Sequence, residues 1–305
     1  MLRIVSLIAS ATETVYALGL GDYLVGRSHE CDYPDDVKYL PCCTAPNFET
    51  AAASKAVDDD VKALLAKALS VYSVDVKKLE ELKPTHIITQ DQCQVCAVSL
   101  SDLQKACSDS ISSRPQIISL NPNSLADISD DISKIGTACG VAVQSNQLIA
   151  ALDKRMNAVA TIASYLKPVS VACIEWLDPL MAAGNWMPEL VQLAGGRNLF
   201  GVAAQHAPAL TWESLRASDP EVIVVMPCGF DIERTLSEMH LLSEQLGFEQ
   251  MTAAIYEHIY IADGNQFFNR PGPRIAESLE MMAEMLHPES FDFGHEDKNW
   301  LRFPS

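Results

Sequence analysis

Basic residues are scarce in this chain: 22 Lys and Arg against 40 Asp and Glu leave a formal net charge of −18. A field of that sign repels phosphate backbones and anionic headgroups, so nucleic acid and membrane surfaces are poor partners and neutral or cationic ligands fit better. No apolar run approaches the roughly 18 residues of a membrane-spanning helix. Met1-Leu2-Arg3 passes straight into Ile4-Val5-Ser6-Leu7-Ile8, a strand pattern rather than a charged leader with a cleavage site. The expectation is a cytoplasmic protein, exported only if a leader precedes Met1. There is no G-x-x-x-x-G-K-S/T phosphate loop, no G-x-G-x-x-G, no G-x-S-x-G and no H-E-x-x-H. Ser, His and Asp are present, but no spacing singles out a triad, so no enzyme is expected. The nine cysteines are an odd number scattered through a long chain. A dense even framework would suit a small secreted domain, whereas this usage points to a reducing compartment.

What is present is the composition of a folded globular protein, 48% hydrophobic and 20% charged over 305 residues, enough for about two domains. Aliphatic strand-like runs alternate with helix-like stretches: Ile4 to Ile8 then Thr12 to Leu20, His86 to Thr89 then Ser99 to Ser108, Ile117 to Leu120 then Leu125 to Cys139. Such alternation predicts α/β units with mainly parallel sheets. Between Val141 and Leu166 the pattern becomes one unbroken helix, with Leu148, Leu152, Met156, Val159 and Ile162 spaced by three and four, Ser145 or Asn146 as cap and Pro168 as stop. Alternation then resumes: Val169 to Ile174, Pro188 to Ala194, Val222 to Met226, Ile232 to Leu246, Ile259 to Ala262 and Pro273 to Leu286. The boundaries read as an N-terminal lobe over 1–140, a bridging helix over 141–166, a C-terminal lobe over 167–288 and a tail over 289–305 without periodicity.

In parallel α/β lobes, ligands sit beyond the carboxyl ends of the strands, which selects a few loops. Thr89-Gln90-Asp91-Gln92-Cys93-Gln94-Val95-Cys96 holds a lone C-x-x-C pair. Two thiolates at that spacing bite a soft metal or close a disulfide, and no second pair completes a zinc site. Cys31, beside His29, and Cys228 lie on other strand-end loops, so Cys31, Cys93, Cys96 and Cys228 are the candidate ligands for zinc or iron, or a thiol nucleophile. Weighed against that, cysteines also serve as small packable residues. Trp176 and Trp186, with Asn185, offer rigid apolar faces and N–H donors suited to a broad, flat or cationic ligand; packed lids are the alternative. The loop Asp263 to Arg274 carries Phe267, Phe268, Arg270 and Arg274 and opens a helix. Its arginines either hold an anionic group or pair with acidic neighbours, the latter favoured for Arg274.

Several runs, in this order, resemble the periplasmic binding proteins of the cobalamin and iron-siderophore class: Ile4-Val5-Ser6-Leu7 with Ala11-Thr12-Glu13, Val25-Gly26 before Asp32-Tyr33-Pro34, Leu82-Lys83-Pro84, Leu193-Ala194-Gly195-Gly196 with Asn198-Leu199-Phe200, and Pro271-Gly272-Pro273-Arg274. The resemblance spans about Arg3 to Leu286. It implies two Rossmann-like lobes joined by a rigid helix (a class III periplasmic-binding-protein-like fold), a ligand held in an interlobe cleft without chemical change, and delivery to an ABC importer. Cobalamin is the implied ligand, with no cofactor required. Its walls would be Trp176, Trp186, Phe267 and Phe268, its polar anchors Arg270, Asn185, Gln90 and Gln92, and His29 or a thiol the groups able to reach cobalt. Exported members dock through one glutamate on each lobe; the matching positions here are Lys77 and Gln192, which puts an importer in doubt and leaves Glu80, Glu81 or Glu189 as substitutes. A metal- or thiol-dependent protein or enzyme on the same scaffold, built on the four cysteines, is the competing expectation.

Overall fold

A computed structural model describes residues 1–67, 71–92, 103, 104, 107 and 110–304. The chain divides into two compact units, the first made of Met1–Ala52, Ala56–Pro122 and Ala126–Ala151, the second of Ala53–Lys55, Asn123–Leu125 and Leu152–Ser305.

The first unit contains β1 (Ile4–Ser6), β2 (Leu24–Arg27), the short strands β3 (Thr44–Pro46) and β4 (Tyr72–Val74), β5 (His86–Gln90) and β6 (Gln116–Leu120). Four of these form a sheet in the order β2-β1-β5-β6, and every pairing in it is parallel. The pairing of β3 with β4 is a separate antiparallel ribbon. Ile4, Val5, Ile87 and Ile88 are fully buried, as aliphatic runs must be in a sheet covered on both faces. Val5, Leu7, Leu79, Ile87, Leu103 and Ile111 build one apolar cluster with Cys43 and Cys107.

The second unit contains β7 (Val169–Trp176), β8 (Met181–Ala182), β9 (Gly196–Asn198), β10 (Val222–Val225), β11 (Ile259–Ala262) and β12 (Trp300–Arg302). The sheet order is β12-β11-β10-β7-β8, with β9 also on β7. The central pairings of β10 with β7 and β11 are parallel, whereas β8 and β12 run antiparallel. The sequence thus encodes the expected α/β class with mainly parallel sheets. Gly264 follows β11, where a Cβ would fall against the carbonyl of Pro227 and the backbone of Met226, so only glycine lets the β10 and β11 ends approach.

The long helix spans Ala142–Ala163. It starts ahead of the expected cap: Ser145 lies inside it, donating its hydroxyl to the carbonyl of Ala142 at 2.9 Å. Within the second unit its Arg155 makes a paired contact with Glu280 (3.1 and 2.7 Å) and reaches Glu277 at 3.1 Å. The stretch from Ile232 to Leu246 is two helices, Ile232–Glu238 and His240–Ser243, rather than one. The aperiodic tail carries β12 and closes the sheet edge. Trp300 is 2% exposed, and its indole donates at 2.8 Å to Glu284, a buried carboxylate that also accepts the N–H of Phe293.

Candidate functional site

In the first unit the carboxyl end of β2 leads into Ser28, His29, Glu30 and Cys31. Cys43 N–H donates to the carbonyl of Arg27 at 2.7 Å, which ties this loop to the segment entering β3. Thr44, at the start of β3, is the organising residue. Its Oγ1 accepts the backbone N–H of His29 at 3.1 Å, lies 2.7 Å from His29 Nδ1 and donates to Ser28 Oγ at 3.1 Å. Tyr72 of β4 packs its ring 5.0 Å from the imidazole and donates its hydroxyl to Glu30 Oε1 at 3.0 Å. Burial first, and the Arg27 guanidinium second, push the His29 pKa down to about 4, so the imidazole is neutral at pH 7.

Other expected residues of this unit separate into kinds. Gln90 ends β5 and is 5% exposed, while Gln92 just beyond it is half-buried. Cys31 is 1% exposed, and its sulfur accepts the Thr12 hydroxyl at 3.0 Å, so it is packed and hydrogen-bonded. Cys93 and Cys96 lie outside the described residues.

In the second unit the strand ends assemble an aromatic shelf. Trp176 closes β7, and its indole N–H donates to the carbonyl of Asp178 at 3.1 Å, fixing the ring. Phe230, on the loop after β10, is 1% exposed and backs Trp176 edge-on with ring centres 5.1 Å apart, so Trp176 is the ring of the pair with an open face. The Arg234 guanidinium lies 3.6 Å over the Phe230 ring, a cation–π contact that puts positive charge beside an apolar surface. Asp231 caps the helix carrying Arg234, accepting its backbone N–H at 2.8 Å. Phe230 and Arg234 carry no sequence signal of their own, although the sequence places neighbouring Cys228 on a strand-end loop. Thr44 and Tyr72 carry no sequence signal, since they act through a ribbon too short to show periodicity.

The loop after β11 corrects part of the expected site. Phe268 is 0% exposed and Trp186 5%, and the Trp186 indole donates to the Phe268 carbonyl at 2.8 Å. Phe268 N–H donates to Ser278 Oγ at 3.0 Å, so these two rings are core and offer no wall to a ligand. Phe267 is 7% exposed, with Arg274 over its ring at 4.9 Å; Arg274 donates to Gln266 Oε1 at 2.9 Å. Arg270 is likewise 7% exposed and donates to Asn265 Oδ1 at 3.0 Å. Asn185 is half-buried, and its backbone carbonyl accepts Ala204 N–H at 3.0 Å in a left-handed turn with φ of 52°.

Cys228 is exposed and belongs to the second unit, whereas Cys31 belongs to the first. Among the described residues no group of three or more His, Cys, Asp or Glu side chains is placed to hold a metal ion. Burial pushes the Cys43 and Cys173 thiols up to about 12 and Cys139 to about 11, which leaves them protonated and inert. Nothing in the described residues favours the metal- or thiol-dependent alternative. No described helix is long and apolar enough to cross a membrane.

Residues 4–265 match the family model described as "Periplasmic binding protein". The chain is 24% identical over 298 residues, covering 95% of this chain and 81% of the relative, to an ABC transporter substrate-binding lipoprotein, YvrC, of Bacillus subtilis. It is 25% identical over 286 residues to the vitamin B12-binding protein of Vibrio vulnificus, covering 92% of this chain and 89% of the relative. Among solved structures, the periplasmic heme-binding protein RhuT of Roseiflexus sp. RS-1 superposes with a TM-score of 0.69 at 21% identity, covering 95% of this chain and 99% of that one. The periplasmic vitamin B12-binding protein BtuF of Vibrio cholerae gives 0.65 at 20% identity, covering 93% and 96%. These findings overturn the cytoplasmic expectation. The matched family is periplasmic and the Bacillus relative is a lipoprotein. That expectation rested on the strand pattern at Ile4 to Ile8 and on the odd, scattered cysteines, neither of which assigns a compartment.

Proposed function

Because the chain belongs to the periplasmic binding protein family, we propose that it is the substrate-binding component for a corrinoid, held against the strand-end loops and released unchanged. It is a binding protein rather than an enzyme, in keeping with the relatives that are named for binding. The observation that carries the reading is Trp176, a half-buried indole at the end of β7, backed at 5.1 Å by the buried ring of Phe230 (1% exposed), over which the Arg234 guanidinium lies at 3.6 Å. Such a surface takes the apolar face of a large ring, while the cation meets an electron-rich amide or phosphate at its edge. The vitamin B12-binding relative, aligned over 92% of this chain, supports a corrinoid as the ring. Asn185, half-buried in the same unit, is the polar contact that this reading keeps from the sequence.

Delivery to an ABC importer is part of the same proposal, since a relative carries that description. Lys77 and Gln192, at the positions where docking glutamates are expected, are both exposed. Two of the substitute carboxylates are engaged elsewhere. Glu80 accepts Ser112 N–H at 2.7 Å and its hydroxyl at 2.6 Å, and Glu189 accepts Leu125 N–H at 2.9 Å within the second unit. Glu81 is exposed and is the substitute this reading retains. Calorimetric titration of the purified chain with cobalamin tests the ligand; saturable one-site binding supports it, and the absence of heat at high micromolar ligand removes it.

A further inference from the structure

The second unit holds a cavity of about 230 Å³ that the shelf does not use, since none of Trp176, Phe230 and Arg234 lines it. Leu177, Leu180, Leu241 and Leu242 make it apolar, and Trp212 supplies an aromatic wall. These parts are in place before any ligand arrives. Leu177 and Leu242 are 4% and 3% exposed, so the floor is continuous with the core. The half-buried Trp212 is held from two sides: its indole N–H donates to the Leu246 carbonyl at 3.2 Å, and its ring stacks on Phe248 with centres 6.4 Å and planes 27° apart. The turn carrying Leu177 and Asp178 is fixed as well, because the Asp178 carbonyl accepts the Trp176 indole at 3.1 Å. A preformed apolar recess with a few polar groups is the usual form of a small-molecule site.

Size and charge then choose the ligand. Drug-sized ligands fill about 300–1,000 Å³, so this cavity admits a fragment and excludes a macrocycle. Its polar lining is Asp178 and Gln245, and no Lys, Arg or His lines it. Asp178 is half-buried and forms no ion pair among the described residues. Glu213, beside Trp212, and Glu244, at the end of helix His240–Ser243, are exposed on a chain with a net charge of −18. An anion entering here meets only negative charge, and a neutral fragment leaves the carboxylate uncompensated. A cation with an apolar body meets both demands: the indole face and the carboxylate attract its charge, and the leucines cover its body.

We infer that this cavity is a second binding site, separate from the Trp176 shelf, for a small organic cation with an apolar body, of the aralkylammonium class. The inference goes beyond the solute-binding reading and does not depend on the identity of the solute.

The test is a proton–nitrogen correlation spectrum of the full chain titrated at constant ionic strength with benzyltrimethylammonium, with benzyl alcohol as the neutral probe and with phenylacetate as the anion. The expected result is a saturable shift of the Trp212 indole N–H signal by the cation, with a dissociation constant of about a millimolar or below, as suits so few ligand atoms. Phenylacetate should leave the signal in place, and benzyl alcohol should bind about fivefold or more weakly. Asp178→Asn, which keeps the shape of the turn, and Trp212→Leu, which keeps an apolar wall and is read on the Leu242 amide, should each weaken the cation about fivefold. Equal binding of the three probes, or cation binding indifferent to both substitutions, overturns the inference, as does the absence of any shift at high millimolar cation. Saturating cobalamin should leave the cation bound; displacement by cobalamin would merge the two sites and overturn the inference while the corrinoid proposal stands. No cobalamin binding alongside an intact cation response overturns the corrinoid proposal and sustains the inference.

Discussion

Thr44 Oγ1 lies 2.7 Å from His29 Nδ1, and this contact joins the end of β2 to the start of β3. Together with the 3.1 Å contact between the Thr44 hydroxyl and Ser28 Oγ, it predicts a proton on Nδ1. Nitrogen-15 spectra of histidine-labelled protein at pH 7 should show His29 as the neutral tautomer with hydrogen on Nδ1. Thr44→Val, which removes the acceptor, should release that preference; hydrogen on Nε2 in the unaltered protein would contradict the assignment.

Trp186 and Phe268 are predicted to matter for stability and not for binding. Replacing Trp186 by Phe removes the 2.8 Å donor to the Phe268 carbonyl in a buried setting. The expected loss is about 1–3 kcal/mol, read as a lower Tm, with cobalamin affinity unchanged within twofold. A large affinity loss at unchanged Tm would return Trp186 to the ligand.

The shelf should behave in the opposite way. Trp176→Ala removes the half-buried indole that meets Phe230 at 5.1 Å, and the lost stacking and area should weaken ligand binding about tenfold or more. Because the ring is at a strand end and not in the core, the Tm should fall little. Fluorescence quenching and calorimetry on the variant check both.

Stability should depend on pH through Asp131. Its carboxyl is 9% exposed, one oxygen has no partner among the described residues, and burial raises its pKa to about 6 against a partial offset from Lys134. A carboxyl raised in the folded state stabilises while protonated. That contribution is fully present below about pH 4 and is lost as the pH rises through about 6. At pH 7, Asp131→Asn should be more stable than the unaltered chain by about 2 kcal/mol, with the difference vanishing below about pH 4. Denaturant midpoints at the two pH values measure it, and a variant less stable at pH 7 would contradict it.

Thiol reactivity should follow exposure. Under native conditions iodoacetamide should modify Cys228, which is exposed, while Cys31, Cys43 and Cys173 stay unmodified until the chain unfolds. Peptide mass spectrometry reads the order, and early labelling of Cys31 would show that its contact with Thr12 does not close the site.

The sheets were legible in the sequence wherever burial on both faces imposed continuous aliphatic runs, as in Val222–Val225 and Ile259–Ala262, whose bounds match the strand patterns closely. The long helix was legible because its apolar spacing continues without Gly or Pro. The short strands β3, β8, β9 and β12 were not, since two or three residues carry no period. At the site, the strand-end rule found the loops but not the burial of each side chain. Trp186, Phe267, Phe268 and Arg270 read as ligand contacts because aromatic and cationic residues on a loop look alike whether they face solvent or a core. The setting of His29 depends on Thr44, fifteen residues on, which no local pattern connects to it.

The central claim, a binding protein for a metal-bearing macrocycle, is tested most directly by titrating the purified chain with aquacobalamin while following heat and tryptophan fluorescence. The account predicts one saturable site of micromolar or tighter affinity, with quenching that Trp176→Ala reduces. No heat and no quenching at high micromolar ligand would contradict it.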